Sequence, residues 1–200
     1  MIWWCKARAI PTVAVAVLGT FAVGLCIGNA ELPVPSLTHQ SGQFLVAHLI
    51  TLVPAVFFLY GKGRGGSQTE DVASRFLRGW DVALAAAIVA ASVTMMALSE
   101  ALRPSGLALV LGRNVAGYIG LALLLNVVVG CRLAGALLTL VPLVCAAAGW
   151  GPGNRPLPWA WPLHAADSSI AAGLAASAVL AGVVGALVRQ KPLFDVQLRA

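Results

Sequence analysis

Six long runs of apolar residues recur along this 200-residue chain, and they restrict its fold more than any other feature. Each run approaches the ~20 residues that a helix needs to cross a hydrocarbon layer of ~30 Å. Only 10% of the residues are charged, against roughly 25% in ordinary soluble domains, so no polar helices remain to surround six buried ones. The sequence therefore predicts an integral membrane protein that is surrounded by the lipid bilayer.

The predicted spans are helices, because a lipid-exposed segment must satisfy its own backbone hydrogen bonds and the alternating pattern of barrel strands is absent. We expect an all-α, polytopic fold with a single transmembrane domain over residues 1–200. The first run resembles a secretory signal, but it exceeds the 7–15 apolar residues of a signal core, so we interpret it as a retained span. The six predicted spans are Ile10–Ile27, Phe44–Tyr60, Trp80–Leu98, Val115–Val129, Leu133–Gly149 and Ile170–Val188.

Lys and Arg residues sort to one side of these spans. Of the 13 in the chain, three fall on the opposite side, namely Arg103, Arg113 and Arg155. Because Lys and Arg are enriched in cytoplasmic loops, this asymmetry predicts that both termini and the loop between the second and third spans are cytoplasmic. The sorting also accounts for the net charge of +6 without nucleic acid as a partner, and we expect a multi-pass protein of the plasma membrane.

Residues typical of catalytic and metal centres are sparse. The histidines do not share a helix face at metal-ligand spacing, and no HExxH or CxxC motif occurs. The glycines of "GKGRGG" spell GxGxxG, but no strand precedes them and the Lys stands ahead of them, unlike in a P-loop. We therefore predict no enzyme activity, no cofactor and no metal site. Cys26 and Cys145 are either a disulfide pair or, as is commoner for buried cysteines, two small hydrophobes.

Four polar residues in or beside the spans are candidates for a transport path, because burying such groups in lipid is costly. They are His48, Arg113, Asn114 and Asn126. Three of them also have a packing interpretation: His48 as a core residue, Asn126 as a hydrogen-bonding group between helices, and Arg113 as either an interfacial anchor or a partner of Glu100. Asp81, just inside the third span, is interpreted as interfacial.

Two apolar segments lie outside the predicted spans. "PSGLALVLG", Pro104–Gly112, is too short to cross a membrane, and we expect it to lie in the interface or to re-enter. Between the fifth and sixth spans, Gly149–Ser169 combines four prolines with three tryptophans, so it predicts either a re-entrant, broken cap or an interfacial anchor. Small residues at Ala178, Gly182 and Ala186 indicate close helix packing, within the chain or in a dimer.

The longest polar stretch, residues 61–80, lies between the second and third spans. Ser67 and Glu70 match a capping box, and apolar and basic residues then separate onto two faces. This pattern predicts a short amphipathic helix at the cytoplasmic surface, where it binds lipid phosphates or a soluble partner. The residues that we expect at its partner-binding surface are Glu70, Asp71, Arg75, Phe76 and Arg78.

Three segments resemble parts of compact actinobacterial permease subunits of ATP-binding-cassette exporters: "TEDVASRFLR" (69–78), "GRNVAGYIGLALL" (112–124) and "WAWPLH" (159–164). The arrangement of six spans, a short helix after the second and a re-entrant element after the fifth is similar to that family over nearly the whole chain. The resemblance implies that residues 70–78 are a coupling helix that binds a separate cytoplasmic ATPase subunit. It also implies a second permease copy or homologue, and export of a hydrophobic or amphipathic compound such as a peptide or secondary metabolite.

A different class of function is also compatible with these residues. The chain is alternatively a non-transporting scaffold or accessory subunit, whose cytoplasmic helix anchors another protein. A membrane enzyme is disfavoured, because the sequence has no carboxylate pair, metal cluster or activated nucleophile.

Overall fold

Helices account for most of the residues that the structure, a computed structural model, describes: residues 2–28, 30–33, 43–64, 74–153 and 155–188. In chain order the elements are α1 (Ile2–Ala7), α2 (Ile10–Ile27), β1 (Glu31–Pro33), β2 (Gln43–Leu45), α3 (Val46–Ile50), α4 (Val53–Gly63), α5 (Ser74–Leu102), α6 (Leu107–Val129), α7 (Cys131–Ala148), β3 (Trp150–Gly151), β4 (Arg155–Pro156), a 3-10 turn (Trp161–Leu163) and α8 (Ser169–Val188).

The predicted number of spans is confirmed for the described residues: six helical segments among them are long and apolar enough to cross a bilayer. They are Ile10–Ile27, Val46–Gly63, Gly79–Leu102, Leu107–Val129, Cys131–Ala148 and Ser169–Val188. Since successive spans alternate in direction, the bundle has two sides. We call the side where α2 begins and α4 ends the N-terminal side, and the side where α5 ends and α6 begins the cap side.

The second span is interrupted. α3 ends at Ile50 and α4 starts at Val53, with Pro54 in its first turn. Proline has no backbone N–H and its ring excludes a regular preceding turn, which explains why the helix breaks here. The Thr51 hydroxyl donates a hydrogen bond of 2.8 Å to the carbonyl of His48 at the break. Pro142, in contrast, lies inside the continuous helix α7.

The fourth span is longer than the sequence predicted. The segment expected to be interfacial or re-entrant forms the first turns of α6, which begins at Leu107 rather than at Val115. Gly106 adopts a left-handed conformation with φ 69°, so the chain reverses sharply between α5 and α6. The prediction was wrong because Arg113 and Asn114 were taken as a boundary of the span, whereas both lie within the helix and bond to other parts of the protein.

Helix α6 is the centre of the bundle, and it packs against α5, α7 and α8. Of its spanning window 61% is buried, compared with 17% for the third and sixth spans. Gly120 lies against the backbone of Ala178 and Val179, and Gly182 lies against the carbonyl of Gly120. At Ala178 and Gly182 the predicted stripe of small residues therefore packs within the chain, because glycine lets two helix backbones touch.

Two short antiparallel hairpins differ from the purely helical prediction. β1 pairs with β2, with Glu31 opposite Leu45, and this joins the end of the first span to the start of the second. β3 pairs with β4, with Trp150 opposite Pro156. Both hairpins lie on the cap side, because they belong to connections that follow the first and fifth spans.

Candidate functional site

The predicted partner-binding residues fall at the edge of the described chain. Glu70 and Asp71 lie outside the described residues. Arg75, Phe76 and Arg78 belong to α5, which continues through Gly79 into the third span without a break. The sequence placed a separate short helix before Trp80; from Ser74 onward the structure instead has one helix of 29 residues. At 1.5 Å per residue that helix is about 43 Å long, which exceeds a hydrocarbon layer of ~30 Å.

A buried cluster of three charges lies on the N-terminal side, near the start of the third span. The guanidinium of Arg8 donates two hydrogen bonds to the carboxylate of Asp81, at 2.8 and 3.2 Å. The ammonium of Lys62 lies 3.2 Å from Oδ2 of the same carboxylate. Arg8 is 2% exposed and Asp81 is 5% exposed. We call Arg8, Lys62 and Asp81 the ion cluster.

The ion cluster connects the first three spans. Arg8 precedes α2, Lys62 ends α4, and Asp81 lies in α5. Arg8 also donates a hydrogen bond of 3.0 Å to the carbonyl of Lys62. Gly61 lies so close to the backbone of Arg8 that any larger side chain would overlap it. The ion cluster thus holds three helices together on this side, because separating its side chains would leave a buried charge without its partner, which is costly in free energy.

The chain conformation before the first span places Arg8 in this position. Ala9 adopts a left-handed conformation with φ 50°, which is unfavourable for a residue with a Cβ atom. The turn separates α1 from α2 and directs Arg8 into the bundle, while Trp4 packs against Trp80 with ring centroids 5.6 Å apart. The backbone strain at Ala9 is offset by the ionic contacts that it makes possible.

Sequence reasoning missed the ion cluster. It interpreted Asp81 as interfacial, whereas the residue is buried and ionically paired. The available signal was the combination of an acid at the start of one span with a basic residue at the edge of each of the two preceding spans, all predicted on the same side. Because an acid inside a membrane needs a partner, this combination identifies the pairing in principle.

Arg113, a candidate for the transport path, holds the connection between the fifth and sixth spans. We call residues 149–153 and 155–168 the cap segment. The guanidinium donates hydrogen bonds to three of its carbonyls: Ala165 at 2.8 Å, His164 at 2.7 Å and Trp161 at 3.5 Å. A planar guanidinium with several donors suits this convergence of carbonyls. The expected ion pair with Glu100 is not among the contacts found for the described residues; Glu100 instead accepts a bond from the backbone of Ser105.

Two other path candidates lie close to Arg113. Asn114 is completely buried, and its amide donates a hydrogen bond of 3.2 Å to the carbonyl of Pro162 in the cap segment. His48 is 3% exposed and lies in α3, which contacts α6. Asn126 lies 13 residues beyond Arg113 on the same helix, about 20 Å towards the N-terminal side. The structure therefore groups His48, Arg113 and Asn114 and separates Asn126 from them.

The cap segment packs into the ends of the helices instead of lying over them. Trp161 packs against Tyr118 of α6 with ring centroids 5.0 Å apart and the ring planes tilted by 56°, and its ring occupies the space beside Gly117. Trp150, Ala160 and Leu163 form a small apolar core with Cys145. The predicted broken element between the fifth and sixth spans is present as this folded segment, and its position relative to a membrane surface stays a prediction.

Other chemistry is sparse among the described residues. Among the residues that the structure describes, no group of three His, Cys, Asp or Glu side chains is placed to hold a metal ion. All four cysteines are free, and Cys26 is exposed whereas Cys145 is buried, so the disulfide interpretation is wrong for this structure. No protein-family model, curated protein or solved structure matches this chain.

Proposed function

We propose that this protein is a membrane permease subunit that couples ATP hydrolysis by a separate cytoplasmic ATPase to the export of a hydrophobic or amphipathic compound. The part of the chain that binds the ATPase is the stretch 70–78, whose last five residues begin α5. In this proposal the six spans are half of a transporter, completed by a second copy or a homologue. The cargo is apolar in character, because the spans offer few charges to bind a polar one.

The observation that carries the proposal is the continuity between the first turn of α5 and the ion cluster. Arg75 and Phe76 lie on the same unbroken helix as Asp81, five to six residues earlier. A force on the beginning of α5 is therefore transmitted along a hydrogen-bonded helix, and the contacts of Asp81 pass it to Arg8 and Lys62. A partner that moves this one segment would tilt three spans together.

The distribution of charge agrees with a cytoplasmic partner on this side. Arg64, at the exposed end of the second span, and the ion cluster lie on the side to which most Lys and Arg residues are assigned. A side rich in Lys and Arg is expected in the cytoplasm, which is where ATP is available. The same side carries the start of α5.

A labelling experiment tests the orientation. In a variant without native cysteines, Arg64→Cys and Asp167→Cys place single thiols at exposed positions on opposite sides of the bundle. We expect a membrane-impermeant maleimide added to intact cells to label Cys at 167 and to leave Cys at 64 unlabelled until the cells are opened. Labelling of position 64 from outside would overturn the proposal, since the start of α5 would then be unable to meet a cytoplasmic ATPase.

A crosslinking experiment tests the partner. A photo-reactive amino acid at Phe76 should crosslink, in native membranes, to a protein with Walker A and B motifs, and the same group at Trp159, exposed on the cap side, should not. The combined substitution of Arg75 and Phe76 by Ala should abolish stimulation of that ATPase by the permease while the helical content stays unchanged. A crosslinked partner without nucleotide-binding motifs would instead favour the scaffold function, and transport that survives the double substitution would contradict the coupling role.

A further inference from the structure

The side chains around the cap segment include two buried hydrogen-bond donors without a partner. The hydroxyl of Tyr118 and the indole N–H of Trp150 are both shielded from solvent, and neither finds an acceptor among the residues that the structure describes. Tyr118 is completely buried, and Trp150 is 7% exposed. Buried polar groups are nearly always hydrogen-bonded, so each group without a partner calls for an explanation.

These two donors adjoin the same turn of the chain. Trp161 packs against Tyr118, and its neighbour Ala160 packs with Trp150 and Leu163. Consecutive Cα atoms are ~3.8 Å apart, so a single turn of the cap segment touches both aromatic side chains. The remaining surroundings, which are Leu49, Val141 and Cys145, are apolar or nearly so.

Two other polar side chains at this end already donate to carbonyls of the protein. Arg113 donates to carbonyls of the cap segment, and the amide of Asn114 donates to the carbonyl of Pro162. These contacts hold the turn in place and leave the two aromatic donors as the groups available to a ligand. Both groups can donate a hydrogen bond to an acceptor atom, and the indole N–H can act only as a donor.

We propose that the cap segment, together with α6 and α7, forms a binding site for a small apolar molecule that carries a hydrogen-bond acceptor, such as the carbonyl oxygen of a ketone or an amide. The apolar side chains bind the body of the molecule, and Tyr118 and Trp150 donate to its acceptor. This site is independent of the proposed ATPase coupling, because it lies on the opposite side of the bundle from the ion cluster.

Benzophenone is a suitable probe, because it is an apolar ketone that also crosslinks to nearby C–H groups on irradiation. We expect saturable labelling of the purified protein in detergent, mapped by mass spectrometry to the cap segment and the adjoining turns of α6 and α7. Tyr118→Phe and Trp150→Phe should each weaken labelling about five-fold, which corresponds to one net hydrogen bond. The matched controls Tyr60→Phe and Trp80→Phe, at exposed positions on the N-terminal side, should leave labelling unchanged.

Thermal unfolding without the probe separates this proposal from its rivals. If Tyr118 has no acceptor in the protein, Tyr118→Phe removes an unsatisfied buried hydroxyl and leaves the unfolding temperature unchanged or raises it. A lowered unfolding temperature would show that the hydroxyl is already bonded within the chain or to a structural water, and would overturn the proposal. Labelling that is non-saturable, spread over the lipid-facing helices or unaffected by both substitutions would overturn it as well.

Discussion

Asp81→Asn tests the role of the ion cluster most directly. The substitution keeps the shape of the side chain but removes the negative charge that faces Arg8 and Lys62. Arg8 is 2% exposed, so its guanidinium cannot turn to water when its partner is neutral. Removing one member of a buried ion pair costs about 3 to 5 kcal/mol, and we expect the lower end, about 3 kcal/mol, because asparagine still accepts one hydrogen bond.

The free energy of unfolding is measured by titrating the purified protein with dodecyl sulfate in mixed micelles and following helicity by circular dichroism. A loss of about 3 kcal/mol changes the unfolding equilibrium constant roughly 150-fold. Asp167→Asn is the matched control: Asp167 is exposed on the cap side, and its substitution should change the free energy by less than about 0.5 kcal/mol.

A double substitution distinguishes a lost interaction from a buried charge left behind. Arg8→Met with Asp81→Leu removes both charges, and Lys62, which is 17% exposed, can extend its ammonium towards water. Replacing a buried ion pair with apolar residues often leaves stability unchanged. We therefore expect the free energy of unfolding of the double variant to lie within about 1 kcal/mol of that of the natural protein. Equal free energies of unfolding for Asp81→Asn and the natural protein would contradict the role of the ion cluster. A double variant as unstable as Asp81→Asn would contradict it as well.

Two further predictions concern the packing of the bundle and the cap segment. Gly120→Ala should lower the free energy of unfolding by several kcal/mol, because the new methyl group would overlap backbone atoms of α8. Its control is Gly135→Ala, which has no atom nearby and should be neutral or slightly stabilising. Unfolding titrations compare the two variants, and equal stability would contradict the packing. Arg113→Lys should loosen the cap segment, since a compact ammonium cannot span the three carbonyls that two separate guanidinium nitrogens reach. Chymotrypsin should then cut after Trp159, which is exposed, several times faster than in the natural protein. Arg103→Lys, at an exposed position, is its control, and cleavage at equal rates in both variants would contradict the anchoring role.

Helix bounds that depend only on the residues of the segment itself were predicted well. The first span, Ile10–Ile27, has the predicted bounds, because an unbroken apolar run in lipid has no alternative to a helix. The helix of the second span breaks just before Pro54, because proline has no backbone N–H to bond to the preceding turn. The interface-like segment before Val115 was mispredicted, because hydropathy treats Arg113 as a boundary irrespective of the carbonyls that surround it.

Three polar residues at the cap side were selected from the sequence, but their arrangement was not. His48, Arg113 and Asn114 were selected because polar groups inside a membrane are costly, and the structure groups them at the cap side. Tyr118 and Trp150 were not selected, since nothing in a sequence distinguishes an aromatic residue with a bonded polar atom from one without. That distinction depends on which acceptors lie within about 3 Å, a property of the packed chain.

The sequence by itself determined that this chain crosses a membrane with six helices, because the cost of exposing backbone polar groups to lipid depends only on the length and apolarity of each run. It also determined which side of the bundle carries most of the basic residues. Only the tertiary structure decided that α6 is central, that Arg8 and Lys62 close around Asp81, and that Arg113 holds the cap segment. These contacts join residues 19 to 73 positions apart, and the free energy of a buried charge or hydrogen bond is set by neighbours that no local pattern specifies.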